Sequence, residues 1–190
     1  MPKLWNETID AHRREVRDAI LDATAALAFE QGLRGVTMSQ IATRAGIGRA
    51  TLYKYFPDVE TILRTWHARR IEAHLGELVK VRDGEGSASG RLDAVLTAYA
   101  HITRQTGSHD RELVRFLHPD EHIVAALNQL RALLRQLIEE GAATGELRTD
   151  VPPDELAAYC LHALSAAADA TSEAAVGRLV SVTAAGLRAV

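Results

Sequence analysis

Apolar residues recur every three or four positions along most of the chain, and nowhere do they alternate with polar ones in the period-two manner of a strand. From about Ile9 to Gln31, the positions Val16, Ile20, Ala23 and Leu27 predict one amphipathic helix, with Gly32 as its stop. Thr37 then opens T-M-S-Q, a capping-box pattern: its hydroxyl can accept from the Gln40 amide while the Gln40 side chain reaches back. A short helix through Arg44 follows. Gly46 supplies a tight bend, Ile47 can tuck beneath it, and a third helix is predicted from about Arg49 to Tyr55. Pro57 ends that helix and Asp58 can cap a long fourth one. It is predicted to run to about Val81, with Ile62, Leu63, Trp66, Ile71, Leu75 and Leu78 as apolar positions. RDGEGSASG, residues 82–90, is the clearest loop. Beyond it the pattern predicts helices at about 91–106, 109–117, 119–141, 153–171 and 173–189. Their separators are Gly107, His118-Pro119, the GAATGEL stretch and Pro152-Pro153. The expectation is an all-α chain of about nine helices.

Two short helices joined by a turn at Gly46 and braced by a longer preceding helix form a helix-turn-helix pattern, with Ile41, Ala42, Ala45, Ile47 and Leu52 as its small core. A three-helix domain over residues 1–57 and a helical domain over 58–190 follow as the expected division. Charge sharpens this picture. The net charge of −3 is unpromising for a nucleic-acid binder, but residues 1–70 carry a balance of +3 and residues 71–190 one of −6. Between Glu30 and Asp58 there is no carboxylate, while Arg34, Arg44, Arg49 and Lys54 lie there. A local cationic face on an acidic body is one way to approach polyphosphate; an ordinary solvated surface is the plain alternative.

In a helix-turn-helix the second helix enters the major groove. Its outward residues here are Arg49, Thr51, Tyr53, Lys54 and Tyr55. Arg49 can make a bidentate contact to guanine O6 and N7, and Thr51 can touch a thymine methyl or a phosphate. Lys54 and the hydroxyls of Tyr53 and Tyr55 suit phosphates, fixing register. Thr37, Ser39, Arg44 and Ala50 are counted with them as candidate DNA-facing residues. Phe56 is expected to be buried against the fourth helix.

The run from Thr37 to Phe56, TMSQIATRAGIGRATLYKYF, resembles the DNA-binding domain of the tetracycline-repressor (TetR) family of bacterial transcriptional regulators, over about residues 9–63. The resemblance implies a repressor whose C-terminal body binds a small-molecule effector and dimerises. Three positions depart from the usual pattern. Gly48 stands where Ser or Thr commonly caps the recognition helix, Ala50 replaces a frequent Gly, and Val59 replaces a frequent Lys that helps hold phosphate. A glycine cap is only a few tenths of a kcal/mol weaker than serine, so the motif survives.

The C-terminal half carries no motif of comparable specificity. Its last two predicted helices are rich in small residues, among them Ala163, Ala167, Ala170, Gly177 and Ala184. The resemblance implies that this pair forms a four-helix interface with a second copy, so that charged residues at Ala167 or Ala184 would disrupt assembly; packing within one chain is the alternative. Trp66, His67, Tyr99, His101, Phe116 and His162 are the candidate effector-pocket residues. The same set would serve a rival reading, a helical small-molecule-binding protein or enzyme that never touches DNA. The carboxylate-free stretch argues for the regulator.

Other chemistry is weaker. His118 and His122 have the spacing of a helical ligand pair, but Pro119 points the first away from the second, and no metal site is expected. Cys160 and His162 fall on different helix faces, so no catalytic thiol and no enzyme activity are expected. No phosphate-cradling glycine loop and no cofactor signature occur. One cysteine, no signal-peptide pattern and no apolar run of membrane-spanning length give a cytoplasmic expectation.

Overall fold

The computed structural model of the chain describes the backbone of residues 2–117 and 121–189 and the side chains of residues 9–107 and 123–189. Among them are eight α-helices: α1 (Pro2–Gln31), α2 (Met38–Arg44), α3 (Arg49–Tyr55), α4 (Val59–Arg82), α5 (Ala88–Leu117), α6 (Glu121–Ala143), α7 (Pro153–Ser165) and α8 (Glu173–Ala185). Two short 3-10 turns, Leu33–Gly35 and Ala166–Asp169, complete the order. The chain divides into two compact units, one ending at Arg70 and one beginning at Ile71, with α4 running on through the division as a single helix.

In the first unit, Gly32 ends α1 at a φ of +79°, which costs a glycine nothing. α1 starts at Pro2, earlier than the apolar pattern from Ile9 requires. The capping box at α2 is complete. The Thr37 hydroxyl accepts from the Gln40 amide, and the Thr37 amide donates to Gln40 Oε1 at 2.9 Å. Ile20, Leu21, Ile41, Leu52, Phe56 and Ile62 close the core of this unit, so α3 is anchored by Leu52 and Phe56 while its other faces stay free. Asp58 caps α4 by accepting from the Thr61 amide at 2.7 Å, and that bond holds its carboxyl below the usual range.

The second unit packs Leu92, Leu96, Leu134, Leu137, Leu164 and Val176 into a separate core. Its helix count is one lower than the sequence pattern suggests, because Gly107 does not break the chain: α5 passes straight through it. A Cβ at Gly107 would lie 2.6 Å from the Ala168 Cβ, so glycine is there to let the 3-10 turn Ala166–Asp169 press against α5. That same turn replaces the last α-helical residues expected before 171. Cys160 is fully buried in this core, and burial pushes its thiol up to about 12, so it behaves as a small apolar residue.

Glu146 ties the start of α5 to the segment after α6. The hydroxyls of Ser89, Ser87 and Thr144 and the Ser89 amide converge on its carboxylate and lower its pKa from 4.5 to about 2. A carboxyl depressed by folding contributes stability that is present above its unfolded pKa and is lost as pH falls toward the folded one. Glu146→Gln is therefore expected to melt below the native chain at pH 7. The difference should shrink between about pH 4.5 and pH 2. Parallel thermal melts across that range check it; a gap independent of pH would remove the carboxylate from the account.

Candidate nucleic-acid interface

The exposed surface of α2 and α3 follows from which residues the core takes. Ile41 and Ala42 of α2 and Leu52 of α3 point inward, leaving Thr37, Ser39, Arg44, Arg49, Ala50, Tyr53 and Lys54 exposed and Thr51 and Tyr55 half-buried. Gly46, at a φ of +68°, turns the chain between the helices, and the Ile47 amide donates to the Ala42 carbonyl at 3.0 Å. Gly48 caps α3 in an extended conformation without a side-chain bond. Tyr53, at 49% exposure, is the open phenol of the pair; Tyr55 lies partly against the core.

Two features of this surface are not apparent from sequence order. The first is that Arg44 is already paired. The Glu30 carboxylate, at the end of α1, accepts from both terminal guanidinium nitrogens, at 2.9 and 2.7 Å. The stretch from 31 to 57 has no carboxylate of its own, but the crossing of α1 over α2 brings one to it. The bidentate bond lowers the Glu30 pKa and raises that of Arg44. Both side chains remain about half exposed, so the pair can be broken by a competing phosphate. Glu30→Gln is expected to free the guanidinium and tighten duplex binding, whereas Arg44→Ala is expected to flatten the log–log salt slope by about 0.9. An unchanged slope in anisotropy titrations from 50 to 200 mM salt would place Arg44 off the DNA.

The second feature is a basic cleft of about 440 Å³ in which Arg13, Arg14 and Arg17 of α1 stand beside Lys54 and Tyr55 of α3. Arg17 is held with its guanidinium 4.9 Å from the Phe56 ring centroid, a cation–π contact that gives a buried aromatic a second task. The apolar stripe of α1 does not reveal these arginines; the sequence signal for them is RREVR, residues 13–17, which puts three cations within about one helical turn.

The effector-pocket candidates are dispersed. Trp66 packs on the first unit's core with Arg70 over its ring at 5.1 Å, and His67 is buried in the same unit. His101 faces Glu173 at 3.0 Å, and His162 is exposed, its Nδ1 2.8 Å from the Ala158 carbonyl oxygen. The side chains of Phe116 and of the His118–His122 pair lie outside the described residues. Among the described candidates Tyr99 lines the cavity of the second unit, which has a volume of about 530 Å³. Its other walls include Ile71, Leu75, Ile102, Thr103, Thr106 and Leu130. No helix among the described residues is long and apolar enough to cross a membrane.

Comparison with known proteins bears on both units. Residues 20–64 match the family model described as bacterial regulatory proteins, tetR family, and residues 93–189 match that of the C-terminal domain of SbtR-like transcriptional regulators. The chain is 31% identical over 174 residues to the HTH-type transcriptional regulator BetI of Klebsiella pneumoniae, covering 86% of this chain and 82% of that protein. It is 43% identical over 144 residues to the HTH-type transcriptional repressor KstR of Rhodococcus jostii, covering 75% of this chain and 64% of that one, which is under two thirds of its length. In fold it is similar to a crystal structure of a TetR/AcrR-family regulator from Thermobifida fusca, with a TM-score of 0.76 at 22% identity over 90% of this chain and 97% of that one.

Proposed function

This chain belongs to the TetR family of bacterial transcriptional regulators, and from that premise we propose that it is a ligand-responsive repressor that binds a pseudo-palindromic operator as a homodimer. The observation that carries the reading is the surface of α2 and α3: a capped, well-anchored helix pair whose outward residues are hydroxyls, phenols and cations. Arg49 at the start of α3 is assigned to a base edge, where a guanidinium can meet guanine O6 and N7. Lys54, Tyr53 and Tyr55, with Arg13, Arg14 and Arg17 from α1, are assigned to phosphates. Thr37, Ser39, Ala50 and Thr51 complete the contact surface, and Arg44 joins it when it exchanges Glu30 for a phosphate.

One helix-turn-helix reads few base pairs, so useful specificity calls for two, and the twofold axis of the dimer is then mirrored in the operator. The cavity of the second unit supplies a place for an effector, and its size is ordinary for a small-molecule site. α4 is the element able to couple the two functions, since one continuous helix begins beside the recognition helix and ends among the residues of the cavity. A ligand that prefers α4 displaced would move the recognition helices away from a spacing of one DNA turn, roughly 34–36 Å. The matched relatives are named as transcriptional regulators, which favours this over a helical enzyme or carrier.

The test is a duplex selected from a random pool and titrated by fluorescence anisotropy. Arg49→Ala is expected to cost about 1–3 kcal/mol on the selected site and to relax its sequence preference. Lys54→Ala and Arg14→Ala should each weaken all sequences alike and flatten the salt slope by about one unit. Equal loss on selected and random DNA for Arg49→Ala would sink its base-reading role. No preference for any duplex would favour the carrier.

A further inference from the structure

The cavity of the second unit is walled by three helices that repeat one spacing. α4 contributes Ile71, Leu75 and Leu78, and α6 contributes Ile123, Leu127 and Leu130. α5 contributes Tyr99, Thr103 and Thr106. Positions i, i+4 and i+7 share a helix face and span about 10 Å. Two walls of the cavity are therefore largely aliphatic, with His74 of α4 set beside Leu75, while the third carries a line of hydroxyls.

Those hydroxyls are only partly used by the protein. Tyr99 is hydrogen-bonded to the Thr103 side chain, and Thr106 Oγ1 donates to the Ile102 carbonyl at 2.9 Å, which leaves its lone pairs able to accept. Among the described residues no lysine or arginine lines the space; its ionisable groups are the imidazole of His74 and the carboxylate of Asp169. An anion entering here would lose its hydration with no permanently charged cation among the described lining residues to compensate, and would share the wall with a carboxylate. An uncharged apolar body loses nothing by entering, and a single hydroxyl or carbonyl along one edge would meet α5.

We propose that the ligand of this cavity is an uncharged, elongated and largely apolar molecule, about 10 Å long, whose hydroxyl or carbonyl group is held by Tyr99 and Thr103. This rests on reading the cavity as the effector site and names the chemical class that site selects.

Biphenyl, 4-hydroxybiphenyl and biphenyl-4-carboxylate share one rigid skeleton, and titrating each into the full chain by calorimetry at neutral pH separates the possibilities. The phenol is expected to bind about 3- to 10-fold more tightly than biphenyl, the worth of one net hydrogen bond. The carboxylate should bind about tenfold or more weakly than the phenol. Combining Tyr99→Phe with Thr103→Val should abolish the advantage of the phenol and leave biphenyl itself unaffected. A carboxylate as tight as the phenol would overturn the ligand class while leaving the cavity a ligand site. An advantage that survives the double variant would overturn the assignment to Tyr99 and Thr103. If none of the three binds up to its solubility, the effector reading of the cavity falls together with the class.

Discussion

A chain carrying Val182→Asp is expected to run as a monomer and to lose operator affinity by on the order of 10³-fold or more, the scale that separates specific from non-specific binding. Val182 sits on α8 at 69% exposure, an unusual degree of solvent contact for a valine in a helix whose opposite face is core. Around it on α8 most exposed residues are small, with Arg178 one turn earlier on the same face. Ala174, Ser181 and Ala185 are exposed, and Tyr159 of α7 lies close beside Gly186, where an added Cβ would be 3.4 Å from its hydroxyl. Such a face lets a second copy approach closely, and a twofold axis would set Val182 near its own mate, so that two buried aspartates would repel without partners. Light scattering at micromolar concentration reads the mass, and far-UV circular dichroism establishes that the fold survives. A dimer with native operator affinity would move the interface off this face.

That choice of residue differs from the one the sequence suggests, and the reason is physical. Ala167 and Ala184 belong to the small-residue pattern of the last two helices, but they are 0% and 8% exposed within a single chain. Both fill the core formed with α5 and α6, so a charge at either would unfold the subunit before it could report on assembly. Composition marks helices that pack closely without saying against what. Burial within the chain has to be subtracted first, and what remains exposed on the pair includes Val182, Tyr159, their small neighbours and Arg178.

Where local chemistry decides the outcome, the sequence was a good guide. The capping box at Thr37, the bend at Gly46, the limits of α3 and the cap at Asp58 all depend on residues within four positions of one another, and each lies where the pattern puts it. The burial of Phe56 was legible for the same reason. What failed was whatever a distant segment controls. Glu30 and Arg44 are fourteen positions apart and meet only because α1 crosses α2. Of the described effector-pocket candidates Tyr99 lines the cavity, whose walls on α4 and α6 are mostly aliphatic stripes at ordinary core spacing. Nothing in an i, i+4, i+7 stripe distinguishes a wall that meets another wall from one that faces a cavity. An isolated glycine such as Gly107 commonly marks a stop, whereas here the missing side chain lets Ala168 pack close against α5.

Gly107 gives the sharpest test of packing, because a matched glycine elsewhere predicts the opposite sign. Replacing glycine by alanine inside a helix gains about 1 kcal/mol from backbone entropy alone when the methyl group has room. Gly76 in α4 has that room: a Cβ built there meets nothing within 4 Å, and Gly76→Ala should stabilise by about that amount. At Gly107 the same methyl would lie 2.6 Å from the Ala168 Cβ, 2.8 Å from its Cα and 3.0 Å from its carbonyl oxygen. Two of those three atoms are backbone, so no side-chain rotation relieves the clash and the 3-10 turn Ala166–Asp169 has to move as a unit. Forcing a methyl into such a contact costs typically 1–3 kcal/mol and occasionally more, which outweighs the propensity gain. Gly107→Ala is therefore expected to destabilise by up to about 2 kcal/mol net, the reverse of Gly76→Ala, in urea unfolding read at constant m-value. Because Gly107, Ala166, Ala168 and Asp169 all line the cavity, the displaced turn would also reshape it. Gly107→Ala should then change 4-hydroxybiphenyl affinity while Gly76→Ala leaves it as in the native chain. Equal stabilisation by both substitutions would mean that α5 and the turn stand further apart than the contact at Ala168 requires.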